Sequence, residues 1–393
     1  MKNLLTKLVI CFCIFVFNGF SMKAQSKYIL AQNNPFDLVN LSSFASPALG
    51  DIDNDGDLDL FVGQYNSNDM LFFRNIGTAN MPIYEMQSEK LNPMDIYSSN
   101  SGCNAPSLVD IDDDGDLDAF VGIYTYLIRH LKNDGNANVP EFVWPTNMEN
   151  PLDQVMTEGI CSFPAFVDID NDMDDDVFIS DGNGIILFYR NRGNKNSPIF
   201  DLDTINNPFI NLNLTARTKI AFHDINADGL IDAVISHDAQ TPELLYFENT
   251  GSINNAVFVQ KLGTSNPFNG ITGPVALVPA FADIDGDGDK DLVLGTNQRI
   301  RLYEAVNSSD ANTFDKYAIF KIYPNPSNGH ITVTNLPIGS TLKVLDITGK
   351  LLYSLKTNSE NEIIDTEIFM NGVYSIRLEN NGNLYNKKLV VNK

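Results

Sequence analysis

Five stretches of nine residues, each opening and closing on aspartate, recur along this chain at a nearly constant interval. They occupy 51–59, 110–118, 168–176, 224–232 and 283–291, with first aspartates 59, 58, 56 and 59 residues apart. A period of this length implies an array of similar units whose stacking or closure creates the core.

Each stretch has the chemistry of a cation loop. In Asp51-Ile-Asp-Asn-Asp-Gly-Asp-Leu-Asp59, carboxylates at positions 1, 3 and 5 curl inward if the chain turns sharply at position 6. Gly56 permits that turn, position 7 can offer its backbone carbonyl, and position 9 closes the shell. The candidate ligands are Asp51, Asp53, Asp55, Asp57 and Asp59, then Asp110, Asp112, Asp114, Asp116 and Asp118. The later loops supply Asp168, Asp170, Asp172, Asp174 and Asp176; Asp224, Asn226, Asp228, Leu230 and Asp232; and Asp283, Asp285, Asp287, Asp289 and Asp291. An all-oxygen set without Cys or His points to Ca²⁺ and away from zinc or copper. Up to five ions are expected, with weaker binding at 168–176, where Met173 replaces the glycine, and at 224–232, where Asn226 removes a charge. The competing reading is a set of acidic turns without metal.

Other features fall into register with the loops. Pro47, Pro106, Pro164, Ile220 and Pro279 stand four residues before them, and apolar runs such as Leu60-Phe61-Val62-Gly63 follow them. A third run ends in Asn-x-Gly at Asn75, Asn133, Asn191 and Asn249, and Asn307 stands in the corresponding register without its glycine. A fourth run precedes an Asn-Pro pair at Asn92, Asn150, Asn207 and Asn266. Short runs rich in β-branched and aromatic residues, bounded by turn residues, read as strands. Four per unit, without helical periodicity, predict an all-β β-propeller of five four-stranded blades over 25–306. The last unit ends after its third strand, while 27–39, with its own Asn34-Pro35-Phe36, is a spare fourth strand. Pairing the two would close the ring and hide both edges. An open stack, or a ring completed by a partner, is the alternative.

The net charge is −24, and half of the 50 acidic residues lie in the five loops, which argues against nucleic acid as partner. Residues 1–24 read as a cleaved signal peptide: Lys2 and Lys7, an apolar run at 8–17 too short for a membrane anchor, and a cut after Ala24. No transmembrane segment is expected in the mature chain. Cys103 and Cys161 each lie seven residues before a loop. Equivalent atoms of neighbouring units are often too far apart for a disulfide, so two buried thiols are favoured over a bridge.

Residues 307–318 read as a linker. From 319 the balance shifts to eight Lys/Arg against six Asp/Glu, with strands expected at 331–334, 341–346, 351–355, 373–378 and 388–391. Asn-Gly turns punctuate this stretch, which predicts a small β-sandwich.

The Asp-rich repeats resemble FG-GAP/VCBS-type repeats, the calcium-binding propeller units also found in integrin α-chain heads. The Phe-Gly half survives as Phe61-Val62-Gly63 and Phe120-Val121-Gly122, whereas the Gly-Ala-Pro half is not preserved. The resemblance implies metal loops on one face and partner binding on the other, through connections that include 64–69, 123–126, 181–184, 237–243 and 296–298. The last 75 residues resemble the C-terminal sorting domain of type IX secretion. The resemblance rests on Tyr323-Pro324-Asn325-Pro326, Asp346-Ile347-Thr348-Gly349-Lys350, Gly372-Val373-Tyr374 and the terminal strand at 387–393. It implies recognition by outer-membrane secretion machinery and a secreted or cell-surface location in a Gram-negative bacterium.

No catalytic set is evident. Glu158, Asp181, Asp238 and Glu243 lie outside the loops, but nothing pairs them. His223 reads as packing, His237 sits in a connection, and Trp144, the single tryptophan, reads as a rim residue or a sugar-stacking platform. The expectation is a binding or adhesion protein for a glycan or extracellular protein. The alternative is a polysaccharide lyase or glycoside hydrolase on the same scaffold.

Overall fold

The structure, a computed structural model, describes residues 27–33, 41, 44–98, 102–145, 150–212, 214, 217–238, 240–274, 277–306, 320–380 and 383–393. The expected signal peptide, Asn34-Pro35-Phe36, Asn307 and the linker lie outside the described residues.

Turn residues cut the first three hundred positions into short apolar runs, and these form five antiparallel sheets of four strands. The chain enters on β1 (Lys27–Asn33). Blade one is β2 (Ser46–Gly50), β3 (Asp59–Gly63), β4 (Leu71–Asn75) and β5 (Tyr84–Met86). Blade two is β6 (Ala105–Val109), β7 (Asp118–Gly122), β8 (Ile128–Asn133) and β9 (Phe142–Val143). Blade three is β10 (Phe163–Val167), β11 (Asp176–Ser180), β12 (Ile186–Asn191) and β13 (Phe200–Leu202). Blade four is β14 (Thr218–His223), β15 (Asp232–His237), β16 (Glu243–Asn249) and β17 (Phe258–Lys261). Blade five is β18 (Val278–Ala282), β19 (Asp291–Thr296) and β20 (Arg299–Val306), completed by β1.

The expected closure is present. β1 pairs antiparallel with β20, from Lys27 opposite Val306 to Asn33 opposite Arg301. The innermost strands contact one another in ring order, with β18 against β2. The Ala45 N–H donates to the Thr296 carbonyl across the seam (3.1 Å). Side chains in the middle of each second strand, such as Leu60, Phe61 and Val62, are completely buried and fill the space between neighbouring blades. The approach is so close that a Cβ at Gly63 would lie 2.0 Å from the Asn104 carbonyl oxygen, and one at Gly295 2.0 Å from that of Ala45. The Asn-Pro pairs also have a shared role. Asn92 donates to the Met70 carbonyl (2.8 Å) and accepts from Met94 N–H (3.0 Å), which seats Met94 in the core. Asn207 and Asn266 seat Phe209 and Phe268 in the same way.

One sequence expectation needs correction. Cys103 and Cys161 form a disulfide, with Cα atoms 5.7 Å apart. The first strands of blades two and three converge toward the axis, so equivalent positions that would be distant at the rim come within bridging range there. Closing a loop of 58 residues limits the unfolded chain, and the chain-entropy account gives about 4 kcal/mol. Cys161→Ser should therefore lower the unfolding free energy in denaturant titrations by about 2–4 kcal/mol. The donor to the last aspartate also differs in blade five. In blades one to four, the backbone N–H of Asn75, Asn133, Asn191 or Asn249 donates to the last aspartate of the loop. In blade five that donor is Ala305, because β20 reaches this point 14 residues after Asp291, against 15 to 17 elsewhere.

The C-terminal module is a β-sandwich with two more strands than expected. β21 (Lys321–Tyr323), β22 (His330–Thr334) and β25 (Asn361–Asp365) form one sheet. β23 (Thr341–Leu345), β24 (Leu351–Lys356), β26 (Gly372–Asn380) and β27 (Asn383–Val391) form the other, in the order β24-β23-β26-β27. Ile331, Val333, Ile364, Val344, Ile376 and Leu389 are completely buried between them. The missed strands are only three and five residues long, too short for a strong alternation signal. The motif residues have local tasks. Asn325 donates to the Lys388 carbonyl and accepts from Val390 N–H (both 2.8 Å), which fastens the opening segment to β27. Asp346 accepts from Thr348 and Lys350 N–H, which shapes the β23–β24 turn.

Candidate metal centres

Each nine-residue loop joins the first strand of a blade to its second, so all five lie at the same end of the propeller. Their internal geometry repeats. The position-1 carboxylate accepts the N–H groups of positions 5 and 6: Asp55 and Gly56 on Asp51 (3.1 and 3.0 Å), and Asp228 and Gly229 on Asp224 (3.0 and 2.8 Å). The position-5 carboxylate accepts the position-7 N–H, as Asp55 does from Asp57 (3.2 Å). Position 6 has positive φ throughout, including Met173 at 72°. Position 4 does too, and there Ala227 at 54° bears a strain that the neighbouring loops relieve with Asn, Asp or Gly.

This folding brings oxygens together. Carboxylate oxygens of Asp51, Asp53 and Asp55 lie within 4.8 Å of one another. So do those of Asp110, Asp112 and Asp114; Asp168, Asp170 and Asp172; and Asp283, Asp285 and Asp287. These triplets could hold metal ions. The third loop thus gathers its triplet despite Met173. The fourth is not among these carboxylate triplets, and its Asn226 instead donates to Asp228 (2.9 Å).

The last aspartate of each loop is almost completely buried and anchors the third strand. Asp59 accepts from Asn75 N–H and Asp176 from Asn191 N–H, both at 2.7 Å. The second oxygens of Asp59 and Asp176 have no hydrogen-bond partner, nor do one oxygen each of Asp53, Asp57, Asp116, Asp174 and Asp285. Buried carboxylate oxygens without donors are costly. A hard cation at the loop centre would satisfy them, so the donor set fits an oxygen-preferring ion such as Ca²⁺. In blade four Tyr246 O–H (2.8 Å) and Ile225 N–H (3.1 Å) already occupy the second oxygen of Asp232.

Burial, reinforced by neighbouring carboxylates, pushes these acids up. Asp57, Asp59, Asp176 and Asp232 rise to about 7, Asp116, Asp174 and Asp285 to about 6, and Asp291 to about 8. Without a cation the loops therefore hold protons near neutral pH.

Two features of the loops carry no motif in the sequence. First, the residue before the third-strand anchor differs between blades. Arg74, Lys132 and Arg190 pair with the position-3 carboxylates Asp53, Asp112 (2.9 Å) and Asp170. Blade four has Glu248 there, paired with Lys261 (3.0 Å). Blade five has Glu304, pushed up to about 7 by burial, then by Asp285 and Asp287. Second, an asparagine of one blade caps the loop of the preceding blade. Asn138 donates to the Asp53 carbonyl (3.4 Å), Asn196 to Asp112 (3.1 Å) and Asn254 to Asp170 (3.0 Å). Across the seam, Asn80 donates to the carbonyls of Asp285 and Gly286 (3.2 and 3.0 Å). These four asparagines stand five residues after Asn75, Asn133, Asn191 and Asn249, a regularity visible in the sequence whose partners are not.

The remaining candidates divide. Asp181 is not free: it is buried and accepts from Gly159, Asn183 and Ile185 N–H. His223 packs against Phe281 (5.6 Å), and burial lowers it to about 4. Trp144 is exposed, with its ring 6.1 Å from that of Tyr97.

Comparison with known proteins accords with this architecture. A family profile described as FG-GAP-like repeat matches residues 51–121 and 224–294, and one described as secretion system C-terminal sorting domain matches 321–392. No curated protein matches significantly. Among solved structures, PorZ, a surface component of the type IX secretion system of Porphyromonas gingivalis, resembles the chain at 16% identity and a TM-score of 0.30. The match covers 88% of this chain and 44% of PorZ, so the chain spans less than half of PorZ's length. An Agrocybe aegerita lectin that recognises non-reducing terminal N-acetylglucosamine matches at 13% identity and a TM-score of 0.39, covering 89% of this chain and 81% of the lectin.

Proposed function

We propose that this chain, built from FG-GAP-like repeats and a type IX C-terminal sorting domain, is an exported, Ca²⁺-stabilised propeller that binds a glycan at the face opposite its metal loops. The sorting domain engages the outer-membrane secretion machinery and directs the propeller to the surface or surroundings of a Gram-negative cell. The loop aspartates, with Asn226, are the Ca²⁺ ligands, and Leu230 contributes only its carbonyl. Calcium neutralises carboxylates that repel one another and satisfies buried oxygens that lack hydrogen-bond donors. Its role is structural: the loops join strands within a blade, and asparagines tie them to the next blade.

One observation supports a glycan over a protein partner. At the opposite end of blade two, Tyr124 and Tyr126 are exposed, and Tyr124 lies 6.2 Å from Tyr65 of blade one. Exposed aromatic rings with polar tips suit sugar faces. A polysaccharide panel scored for retention and for product release tests this reading. Retention without new reducing or unsaturated ends is expected and should weaken in Tyr124→Ala. Product release would favour the enzyme alternative, and absence of retention would refute the glycan reading.

The five Ca²⁺ sites should not be equal. Arg74, Lys132 and Arg190 supply positive charge to the first three loops, whereas Glu304 adds a carboxylate to the fifth. In calcium titrations, Glu304→Gln should weaken the tightest step about tenfold, the effect of one nearby charge at an intermediate dielectric.

A further inference from the structure

The first strands of the blades begin around the axis, at the end away from the metal loops, and there they surround a small, partly open hollow of about 10 Å³, room for about one water molecule. Phe44, Tyr65, Asn104, Phe163, Arg217 and Lys219 line it, together with the Cys103–Cys161 disulfide. Among the described residues no carboxylate does, although the chain carries a net charge of −24.

Both cations in this hollow lack an ion pair among the described residues. The Arg217 guanidinium lies over the rings of Phe44 (4.6 Å) and Tyr65 (5.7 Å), and its buried Nη1 has no hydrogen-bond partner. Lys219 is only 3% exposed, and its Nζ lies 4.1 Å from the centre of the Phe163 ring. Aromatic faces attract cations, but they do not replace the hydrogen bonds that an ammonium and a guanidinium lose on leaving water. A buried charge without a counter-charge is the costliest arrangement available to such a group. Lys219 is such a buried cation, offset by Asp238 but in no ion pair among the described residues, and the half-buried Arg217 stands at the same mouth.

We propose that this axial hollow is a carboxylate-binding subsite in which Arg217 and Lys219 together hold one oxyanion group of the ligand. The chemistry is well matched. A carboxylate offers several acceptor sites, the guanidinium fork can donate to both oxygens, and the ammonium adds a point charge. The cramped interior admits the tip of a ligand, not a whole sugar ring, so the rest of the molecule would lie on the open face. Burial lowers Lys219 to about 7, with Asp238 acting in the opposite direction and Arg217 reinforcing the shift. A bound anion would restore its charge. The proposal deepens the reading of this face as the glycan-binding side, since it selects acidic sugars over neutral ones.

Calorimetric titration of the calcium-loaded full chain with sodium acetate, sodium D-glucuronate and D-glucose, at constant ionic strength, tests it. Acetate and glucuronate should bind and glucose should not. Lys219→Met, which keeps an apolar stem in place, and Arg217→Gln should each weaken anion binding at least tenfold while retaining cooperative thermal unfolding. Tighter binding of glucuronate than of acetate would assign the carboxylate to a saccharide. Failure of both anions to bind would overturn the proposal, as would glucose binding as well as glucuronate or a folded variant binding acetate like the parent chain. A polysaccharide panel without hits beside intact acetate binding would refute the wider glycan reading and leave the subsite standing.

Discussion

A chain lacking residues 27–33 is expected to lose the propeller's cooperative fold. The strand they form is the fourth strand of blade five, although it lies about 270 residues from its partner β20 in sequence. Tyr28 is buried against Phe268 (4.7 Å between ring centres) and Phe281 (6.0 Å) in the core shared with blade four. Removing a buried aromatic side chain alone costs about 3–5 kcal/mol. Deleting the whole strand also strips β20 of its pairing and leaves an open edge, a template for association between molecules. The combined loss is comparable with the total stability of a domain, about 5–15 kcal/mol. Size-exclusion chromatography and circular dichroism should show aggregated or unfolded protein. Tyr28→Ala, which leaves the strand in place, should remain folded and lose about 3 kcal/mol in denaturant titrations. A monomeric truncated chain with an unchanged midpoint would show that the ring does not depend on this strand.

The second large effect concerns pH. Stripped of metal, the chain is expected to be more stable near pH 5 than near pH 8. The acids concerned have an ordinary value of 3.8, and in the fold Asp57, Asp59, Asp176 and Asp232 rise to about 7 and Asp291 to about 8. Between the unfolded and folded values the native state binds more protons than the unfolded chain, so stability falls as pH rises through that window. The penalty is absent below about pH 4 and fully present above about pH 8. Calcium replaces those protons. Its stabilising effect should therefore grow from pH 5 to pH 8, and binding near neutrality should release protons into a weakly buffered solution. Unfolding midpoints of the metal-free chain at pH 5, 6.5 and 8 check the sign. A midpoint that rises with pH would mean that the carboxylates are not held together as described.

Much of the propeller was legible because the signals that define it are local. Asp51–Asp59 and its relatives encode their own turn, and Pro47, Leu60–Gly63 and Asn75 mark strand edges within about 25 residues of each loop. The role of 27–33 could also be read, since a missing fourth strand at one end matches a spare one at the other. What stayed hidden depends on the ring. Nothing local shows that Asn80 reaches Asp285, because the contact exists only after closure. Glu304 carries no local signal, and only the register of β20 with β4 puts it at the point where Arg74 stands in blade one. The disulfide runs against the general rule that equivalent atoms of neighbouring repeats are too far apart, which fails where blades converge on an axis. The pair Arg217 and Lys219 carries no motif at all, and only the radial arrangement of inner strands brings it beside residues of blades one, two and three.

Thermal unfolding of the full chain at pH 8, in calcium and in excess chelator, tests the central claim most directly. Each site held at one hundred times its dissociation constant contributes about 2.7 kcal/mol, so several occupied loops should together raise the midpoint by at least about 15 °C. Coincident midpoints would contradict the account, because the acidic loops would then be turns that need no metal.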